Sequence, residues 1–256
     1  MSFNVRLNIE SDSLDAWPHR REAVAGLIRF YDPDVIGLQE PQRNQLDDLA
    51  RALPGYTWFG EPRADGGPRD EFSAVFYRPA RLELLDQDTF WLSETPAEPG
   101  SIGWDAAYPR IVTWGQFRDR DTGDTLFVFN THFDHEGETA RAESARLLRH
   151  WVGEVAGSPV VVTGDFNTTP DTEPYRILTA DGESQLVDSR EVTAEPPYGP
   201  DATWNGFDAI VPGHRIDFVF VGEGVRVLEH GILAETRDGV RFPSDHLPVL
   251  VELVIE

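Results

Sequence analysis

Hydrophobic positions recur along the chain with two periods, one typical of helices and the other of strands. Val24, Leu27, Ile28 and Tyr31 are spaced to lie on one helical face. Equivalent spacing predicts helices at 18–31, 42–53 and 136–155. Alternating or continuously apolar segments predict strands at 3–9, 35–39, 56–60, 72–78, 82–91, 111–118, 125–132, 159–164, 215–221, 225–233 and 247–255.

The order of these elements predicts one α/β domain over residues 1–256. A chain of 256 residues can bury one sizeable core. Short strands dominate, with helical sections between them, so the expected fold has two stacked mixed β-sheets with helices on the outside, a four-layer sandwich. In such a fold, polar residues that follow the strands should gather where several strands end in loops.

Composition narrows the possible sites and locations. The chain has no cysteine, which excludes disulfides and every thiolate zinc site. No apolar run is long enough to span a membrane, so we expect no membrane insertion. No basic segment followed by an apolar one precedes the first predicted strand, and we therefore expect a cytoplasmic protein. The sequence pattern does not indicate an oligomeric state, and we expect a monomer.

The net charge is unusually negative. It is −23 at pH 7, and all 22 basic residues are arginine. Such acidity without lysine resembles the proteins of salt-accumulating halophiles. Drift in a GC-rich genome would also replace lysine by arginine, but it does not require a twofold excess of acids, so we expect a halophilic protein. Whole-protein repulsion disfavours a polyanion in dilute buffer, whereas in molar salt the Debye length falls to about 3 Å and local contacts decide binding.

Six segments place acid, amide or imidazole groups where a predicted strand begins or ends. They are Asn8, Gln39-Glu40, Asn130-Thr131-His132, Asp165-Phe166-Asn167, Arg215-Ile216-Asp217 and Ser244-Asp245-His246. Carboxylate and amide groups together can hold a hard cation, a water or a phosphate oxygen. A histidine beside a carboxylate is suited to proton transfer. Any one segment alone is more often a polar turn, but six in one chain indicate a site.

Taken in order, these motifs resemble the endonuclease/exonuclease/phosphatase superfamily, the deoxyribonuclease I-like fold. The resemblance runs from Asn8 to His246, and ordered motifs are far more specific than single ones. Further segments, among them Thr89–Pro96 and Gly103-Trp104-Asp105, are most similar to a prokaryotic subgroup. The family's fold is the two-sheet sandwich with flanking helices, which agrees with the fold expected from the hydrophobic pattern.

The resemblance implies roles for the motif residues. Glu40 would be the principal ligand of Mg²⁺, for which Mn²⁺ can substitute, with Asn8 and Asp245 nearby. Asp165 would activate or orient the attacking water, and Asn167 would donate to the phosphate. His132 and His246 would bind nonbridging oxygens or shuttle protons. Asp217 would orient one of these two histidines.

Four other residues are candidates for substrate binding, each with a structural alternative. Glu71 would be a second acid near the metal or a solvated turn acid. Arg110 and Arg141 could clamp a phosphate, but an arginine on a helix is usually on its solvated face. Trp91 could stack on a base or form a wall of the pocket, although such aromatic residues more often belong to the core.

These observations favour a Mg²⁺-dependent phosphoesterase that hydrolyses phosphodiester bonds, most simply a nuclease on DNA or RNA. Departures from the abasic-site nucleases, which usually follow the metal-binding glutamate with Thr-Lys where this chain has Pro41-Gln42, disfavour that branch. No clustered basic surface is evident. The alternatives are a phosphatase or phosphodiesterase acting on small molecules or lipid head groups, and a non-catalytic binding protein that keeps the fold.

Overall fold

The structure is a computed structural model and describes residues 1–155, 157–182 and 184–256. These residues include twelve strands and five α-helices. The strands are β1 Ser2–Asn4, β2 Val35–Gln42, β3 Thr57–Phe59, β4 Glu71–Tyr77, β5 Leu82–Trp91, β6 Ile111–Asp119, β7 Thr125–His132, β8 Val160–Asp165, β9 Val187–Asp188, β10 Asp217–Val221, β11 Val225–Ile232 and β12 Val249–Ile255. The helices are α1 Trp17–Tyr31, α2 Arg43–Ala52, α3 Glu138–Glu154, α4 Glu173–Thr179 and α5 Ser189–Val192, and 3₁₀ turns span Glu10–Asp15.

The strands form two six-stranded sheets. Their orders are β11-β12-β1-β2-β4-β3 and β5-β6-β7-β8-β10-β9. Each sheet contains one parallel pair, β1 with β2 and β7 with β8, among antiparallel neighbours. The predicted sandwich of two mixed sheets with flanking helices is therefore confirmed.

Three clusters of buried apolar residues define the layers. One joins α1 and α2 to the outer face of the first sheet, a second joins α3 and α4 to the second sheet, and the third fills the space between the sheets. Representative members are Val24, Ile28, Leu46 and Phe76 in the first, Leu148, Val162, Phe166 and Phe218 in the second, and Val75, Phe117, Val128 and Val219 in the third. Burial of this apolar surface is the main force that holds the layers together.

A buried polar network also joins the two sheets. Asn130 on β7 donates to the carbonyls of Leu38 (2.9 Å) and Ala74 (3.0 Å) in the opposite sheet. Its Oδ1 accepts from Gln39 Nε2 at 2.6 Å and from Thr163 at 3.1 Å. Gly37 leaves room for this network, because a Cβ at that position would lie 2.1 Å from Thr163 Oγ1. The network fixes how β2 and β7 are positioned relative to each other.

The first predicted strand is wrong at its C-terminal end. The prediction was 3–9, whereas β1 ends at Asn4 and the backbone of Arg6 takes a left-handed conformation with φ 56°. A left-handed residue interrupts a strand, so the apolar alternation of Val5, Leu7 and Ile9 continues through a loop. The short elements α4, β9 and α5 were not predicted. Within the described residues, no helix is long and apolar enough to cross a lipid bilayer.

Candidate active site

The ends of several strands bring polar side chains together at one edge of the sandwich. The contributing residues are Asn4 at the end of β1, Glu40 within β2, His132 at the end of β7, Asp165 at the end of β8, Asp217 at the start of β10, and Asp245 and His246 before β12. All seven are at most 8% exposed. Parallel pairing places the ends of β1 and β2 side by side, and the same holds for β7 and β8. These seven are candidate catalytic residues, and we call the group the catalytic cluster.

Glu40 is held by hydrogen bonds to both carboxylate oxygens. Asn4 Nδ2 donates to Oε1 at 2.9 Å, and the backbone N–H of Leu7 donates to Oε2 at 2.9 Å. The residue itself is left-handed, with φ 67°. Burial would raise the pKa of Glu40, but the charge of His246, the Asn4 amide and the charge of Arg6 together lower it. Glu40 is therefore a fixed carboxylate in its charged form.

Asp165 lies at the centre of the cluster. Its Oδ2 accepts from Asn4 Nδ2 at 2.9 Å, and its Oδ1 accepts from the backbone N–H of Asn167 at 3.0 Å. His246 Nε2 lies 3.8 Å from Oδ2. Burial and the nearby carboxylate of Asp217 raise the pKa of Asp165 to about 7, although His246 and the Asn4 amide act in the opposite direction. Such a carboxylate is a better proton acceptor than a solvated one.

The two histidines of the cluster differ in protonation. His246 Nδ1 lies 2.9 Å from Asp217 Oδ2. Burial would lower the pKa of His246, but the carboxylates of Asp217 and Asp165 raise it well above its usual value. Burial lowers the pKa of His132, and Arg110 and Arg63 lower it further. His246 is therefore a buried cation, and His132 is neutral.

Neutral His132 has a partner that suits this state. Asn167 Nδ2 lies 3.0 Å from His132 Nε2 and also donates to the carbonyl of Phe133 at 3.0 Å. The amide thus uses one N–H on each acceptor, with His132 accepting through Nε2. Asn167 is also left-handed, with φ 47°, a conformation that asparagine tolerates better than most residues.

The donor atoms of the cluster could hold a hard cation. A carboxylate oxygen of Glu40 and one of Asp165 lie within 4.8 Å of each other and of a ring nitrogen of His246, whose protonated ring is a hydrogen-bond donor and not a metal ligand. Asp245 is close enough for burial and the charge of Glu40 to raise its pKa, although His246 and Arg6 oppose this. Buried carboxylates this close to one another repel each other, and a divalent cation would relieve that repulsion. The donor set therefore fits a divalent metal.

Asn8 is not part of the cluster, and its prediction as the asparagine at the end of the first strand is wrong. Because β1 ends at Asn4, it is Asn4 that reaches Glu40 and Asp165, while Asn8 lies in the following loop. The sequence offered a signal for Asn4, since it directly follows Phe3, which is fully buried. The continuing apolar alternation concealed it.

Glu71 and Arg110 line a small cavity that adjoins the cluster at His132. The cavity has a volume of about 10 Å³ and is also lined by Arg63. Glu71 pairs with Arg63 at 2.7 Å, and Arg110 pairs with Asp134 at 3.1 Å. Arg110 is 4% exposed, and its Nη1 has no hydrogen-bond partner among the described residues. Arg63 was not singled out in the sequence, because nothing near it forms a recognisable motif.

Arg141 and Trp91 lie outside the cluster. Arg141, on α3, donates to the carbonyl of Asp134 at 3.0 Å. The Trp91 ring is buried and its N–H donates to the carbonyl of Arg63 at 2.7 Å, so it supports Arg63 and has no open face for a stacked base. A larger groove of about 460 Å³ lies between α1 and α2, and none of its lining residues, such as Arg29 and Asp48, belongs to the catalytic cluster.

The chain is similar along its length to proteins of one family. A model of the endonuclease/exonuclease/phosphatase family matches residues 1–246. An endonuclease/exonuclease/phosphatase structure from Bacteroides vulgatus is 40% identical with a TM-score of 0.94, covering 100% of this chain and 97% of that one. A mannosyl-6-phosphatase from Bacteroides thetaiotaomicron is 38% identical with a TM-score of 0.92, covering 99% and 98%.

More distant relatives include nucleases. The CCR4-Not complex 3′-5′-exoribonuclease subunit Ccr4 of Emericella nidulans is 20% identical over 332 residues, covering 94% of this chain and 48% of that protein. The chain spans about half the length of the curated relatives it matches.

Proposed function

Because the chain belongs to the endonuclease/exonuclease/phosphatase family, whose members are hydrolytic phosphoesterases, we propose that the catalytic cluster hydrolyses a phosphoester with the help of a bound divalent cation. One observation carries this proposal: a carboxylate oxygen of Glu40, one of Asp165 and a ring nitrogen of His246, which come from distant parts of the chain, lie within 4.8 Å of one another, so acidic oxygens and a proton donor meet in one place. Buried acids are seldom brought together for stability alone, since like charges in the interior repel each other.

Mg²⁺ is the proposed cation, with Mn²⁺ as a substitute, because the ligands are oxygen-rich and no thiolate is available. Glu40 would be the principal ligand, with Asp245 and Asn4 beside it, Asn4 taking the place predicted for Asn8. When bound, the cation would neutralise charge that develops on the phosphoryl oxygens. The hydrogen bonds from Asn4 and Leu7 to Glu40 would keep the carboxylate in place before the metal arrives.

Asp165 would accept a proton from the attacking water. Its raised pKa supports this role, since a general base acts best when its pKa is near the working pH. Asn4 and the Asn167 backbone N–H orient the two carboxylate oxygens. His246, held as a cation by Asp217, would donate from Nε2 to a phosphoryl oxygen as negative charge builds there.

Asn167 and His132 would take part through an exchange of hydrogen bonds. Both N–H groups of the Asn167 amide are already used, by His132 and by the carbonyl of Phe133. To donate to a substrate phosphate, the amide must therefore release His132. His132 Nε2 would then be free to accept a hydrogen bond from a water near the phosphate. Arg110 Nη1 is the proposed donor from the adjoining cavity, and Glu71 and Arg63 form the opposite wall.

The substrate we propose is a small phosphorylated molecule, such as a sugar phosphate. The 38% identity to a mannosyl-6-phosphatase over nearly the whole of both chains supports this. The net charge of −23 also disfavours a polyanionic substrate at moderate salt. A nuclease on DNA or RNA, which the sequence alone favoured, is the second candidate. Similarity to the exoribonuclease subunit Ccr4 supports it, at lower identity.

A substrate panel separates the two candidates. Metal-stripped protein with added Mg²⁺ is assayed at low and molar salt on sugar 6-phosphates, nitrophenyl phosphate, bis-nitrophenyl phosphate, poly(A) and plasmid DNA. We expect phosphate release from the sugar phosphates, which Asp165→Asn abolishes. Faster cleavage of poly(A) or plasmid than of any small ester would establish the nuclease instead. No turnover of any phosphoester with Mg²⁺ or Mn²⁺ would refute both.

The single-domain, monomeric, cytoplasmic and halophilic predictions stay predictions.

A further inference from the structure

Arg20 is a buried arginine in the first turn of α1, and its guanidinium donates hydrogen bonds to five backbone carbonyls and to no side chain among the described residues. The residue is 0% exposed. Nε donates to Asp15 O at 2.8 Å, and Nη2 donates to Arg6 O at 2.7 Å and Leu7 O at 3.4 Å. Nη1 donates to Val5 O and, at 3.3 Å, to Pro243 O. A cation in the first helical turn opposes the helix dipole, so helix stability does not explain this residue.

Four of the five carbonyls that Arg20 binds, all except that of Asp15, belong to the two segments that carry parts of the catalytic cluster. The loop Val5–Leu7 directly follows Asn4, and the N–H of Leu7 donates to Glu40. Pro243 precedes Ser244-Asp245-His246. The same two segments are joined by the Ser244 hydroxyl, which donates to the carbonyl of Asn4 at 2.7 Å. One guanidinium therefore ties the loop that orients Glu40 to the loop that presents Asp245 and His246.

Two aromatic rings hold the guanidinium in its place. Its carbon lies 5.1 Å from the centroid of Trp17 and 5.5 Å from that of Phe207. The chain just before Phe207 is itself attached to the cluster, because the N–H groups of Asn205 and Gly206 donate to the carbonyl of Asp245 at 2.8 and 3.1 Å. The planar guanidinium thus connects a third segment to the same loop.

The loop that Arg20 holds has a conformation that requires support. Arg6 is left-handed with φ 56°, which is uncommon for a residue other than glycine. The carbonyl of Arg6 accepts from Arg20 and from Gln45 Nε2 at 2.8 Å. Without these donors, the loop would be free to relax toward a more common conformation. The N–H of Leu7 would then move away from Glu40.

We propose that Arg20 is a positioning residue that sets the affinity of the catalytic cluster for its divalent cation, by fixing the Val5–Leu7 loop and the Pro243–His246 segment relative to each other. This inference rests on the proposed function, which supplies the cation. Arginine is needed because its five N–H groups lie in one rigid plane and reach all of these carbonyls, whereas the three donors of a lysine share a single nitrogen.

The experiment measures binding of Mn²⁺ alone by the loss of the free-ion EPR signal, without substrate. It compares wild type with Arg20→Lys, Phe207→Ala and a control, Arg149→Met. Arg149 is also a helical arginine that donates to a carbonyl, that of Ile177 at 2.7 Å, but it lies between α3 and α4. Phe207 is only half-buried, so its truncation removes one face of the guanidinium site without emptying the core. All measurements are made well below each variant's melting temperature.

We expect Arg20→Lys to raise the Mn²⁺ dissociation constant roughly 10- to 100-fold, as loss of a partner behind a metal ligand commonly does. Phe207→Ala should shift it in the same direction by less, and Arg149→Met should leave it unchanged even if its melting temperature falls. Should Arg20→Lys fail to fold, Phe207→Ala alone decides. If wild type binds Mn²⁺ normally and the folded Arg20 or Phe207 variant has unchanged affinity, the inference is overturned and the proposed function is not. Wild-type protein that binds no Mn²⁺ would refute the metal-dependent function as well.

Discussion

His246 Nδ1 lies 2.9 Å from Asp217 Oδ2, and this pair joins the first residue of β10 to the loop before β12. The bond fixes the ring so that Nε2 faces Asp165 Oδ2 at 3.8 Å. Asp217 itself is 1% exposed. Family resemblance left open which histidine Asp217 would orient, and in the structure the partner is His246.

Asp217→Asn is expected to lower kcat roughly 10²- to 10⁴-fold with little change in KM. The amide cannot stabilise an imidazolium as a carboxylate does, and it can present an N–H where Nδ1 needs an acceptor. The check is steady-state kinetics on the best substrate of the panel, with circular dichroism to show that the variant is folded. A kcat within threefold of wild type would mean that His246 needs no carboxylate partner.

Glu40→Gln is expected to raise the Mg²⁺ concentration required for half-maximal activity by about 100-fold or more, because it removes the negative charge of the proposed principal ligand. Calorimetric titration of Mg²⁺ into the substrate-free protein provides a second measurement. Glu83→Gln is the matched control, since Glu83 is a surface acid on β5 that pairs with Arg118 at 3.3 Å. If both variants need the same Mg²⁺ concentration as wild type, Glu40 is not the ligand.

Arg110→Gln is expected to raise KM for a phosphomonoester roughly 10- to 100-fold, the amount that corresponds to a lost charged hydrogen bond. Its Nη1 is buried without a partner among the described residues, Arg110 and His132 line the same small cavity, and we propose this nitrogen as the donor to a phosphate oxygen. The control is Arg118→Gln, which changes an exposed arginine on β6. An Arg110 variant with normal KM but lowered thermal stability would assign the residue to its pair with Asp134 alone.

Stability should depend on pH through His230, which is 3% exposed and outside the catalytic cluster. Burial lowers its pKa to about 4, and its Nδ1 lies 3.0 Å from the Ser189 hydroxyl. The unfolded chain binds the proton more tightly, so this contribution to stability is complete above pH 6.5 and is lost as pH falls toward 4.

His230→Asn removes this titration. The difference in unfolding free energy between wild type and the variant should therefore shrink by about 2 kcal/mol between pH 7.5 and 5. Urea unfolding at a series of pH values measures it. A difference that stays constant over this range would show that His230 is not held neutral by its surroundings.

Most elements could be predicted from the hydrophobic pattern because their inward and outward positions differ clearly. The helix predicted at 18–31 is α1, Trp17–Tyr31, and the strand predicted at 82–91 is β5, Leu82–Trp91. The short helices α4 and α5 escaped prediction because four to seven residues carry too little periodicity. The family resemblance drawn from the ordered motifs is confirmed.

The site was harder to predict where tertiary contacts, not motifs, define it. Apolar alternation through Leu7 and Ile9 extended the predicted first strand to 3–9 and led to Asn8, whereas the left-handed turn at Arg6 ends the strand early and leaves Asn4 in the cluster. Arg20 gave no signal at all, because an arginine on a helix is usually a solvated residue. Most of its partners are carbonyl groups at least 13 residues away in sequence, which no local pattern records.

Glu40 and Asn167 both have left-handed backbones, with φ 67° and 47°. Glycine would relieve about 1 kcal/mol or more of strain at either position. A library of variants ranked only by melting temperature should therefore tolerate, and could enrich, glycine at two positions whose side chains we propose to be needed for turnover. Selection for thermal stability must therefore also measure turnover, because the backbone conformations that cost stability at these two positions are the ones that place the proposed catalytic side chains.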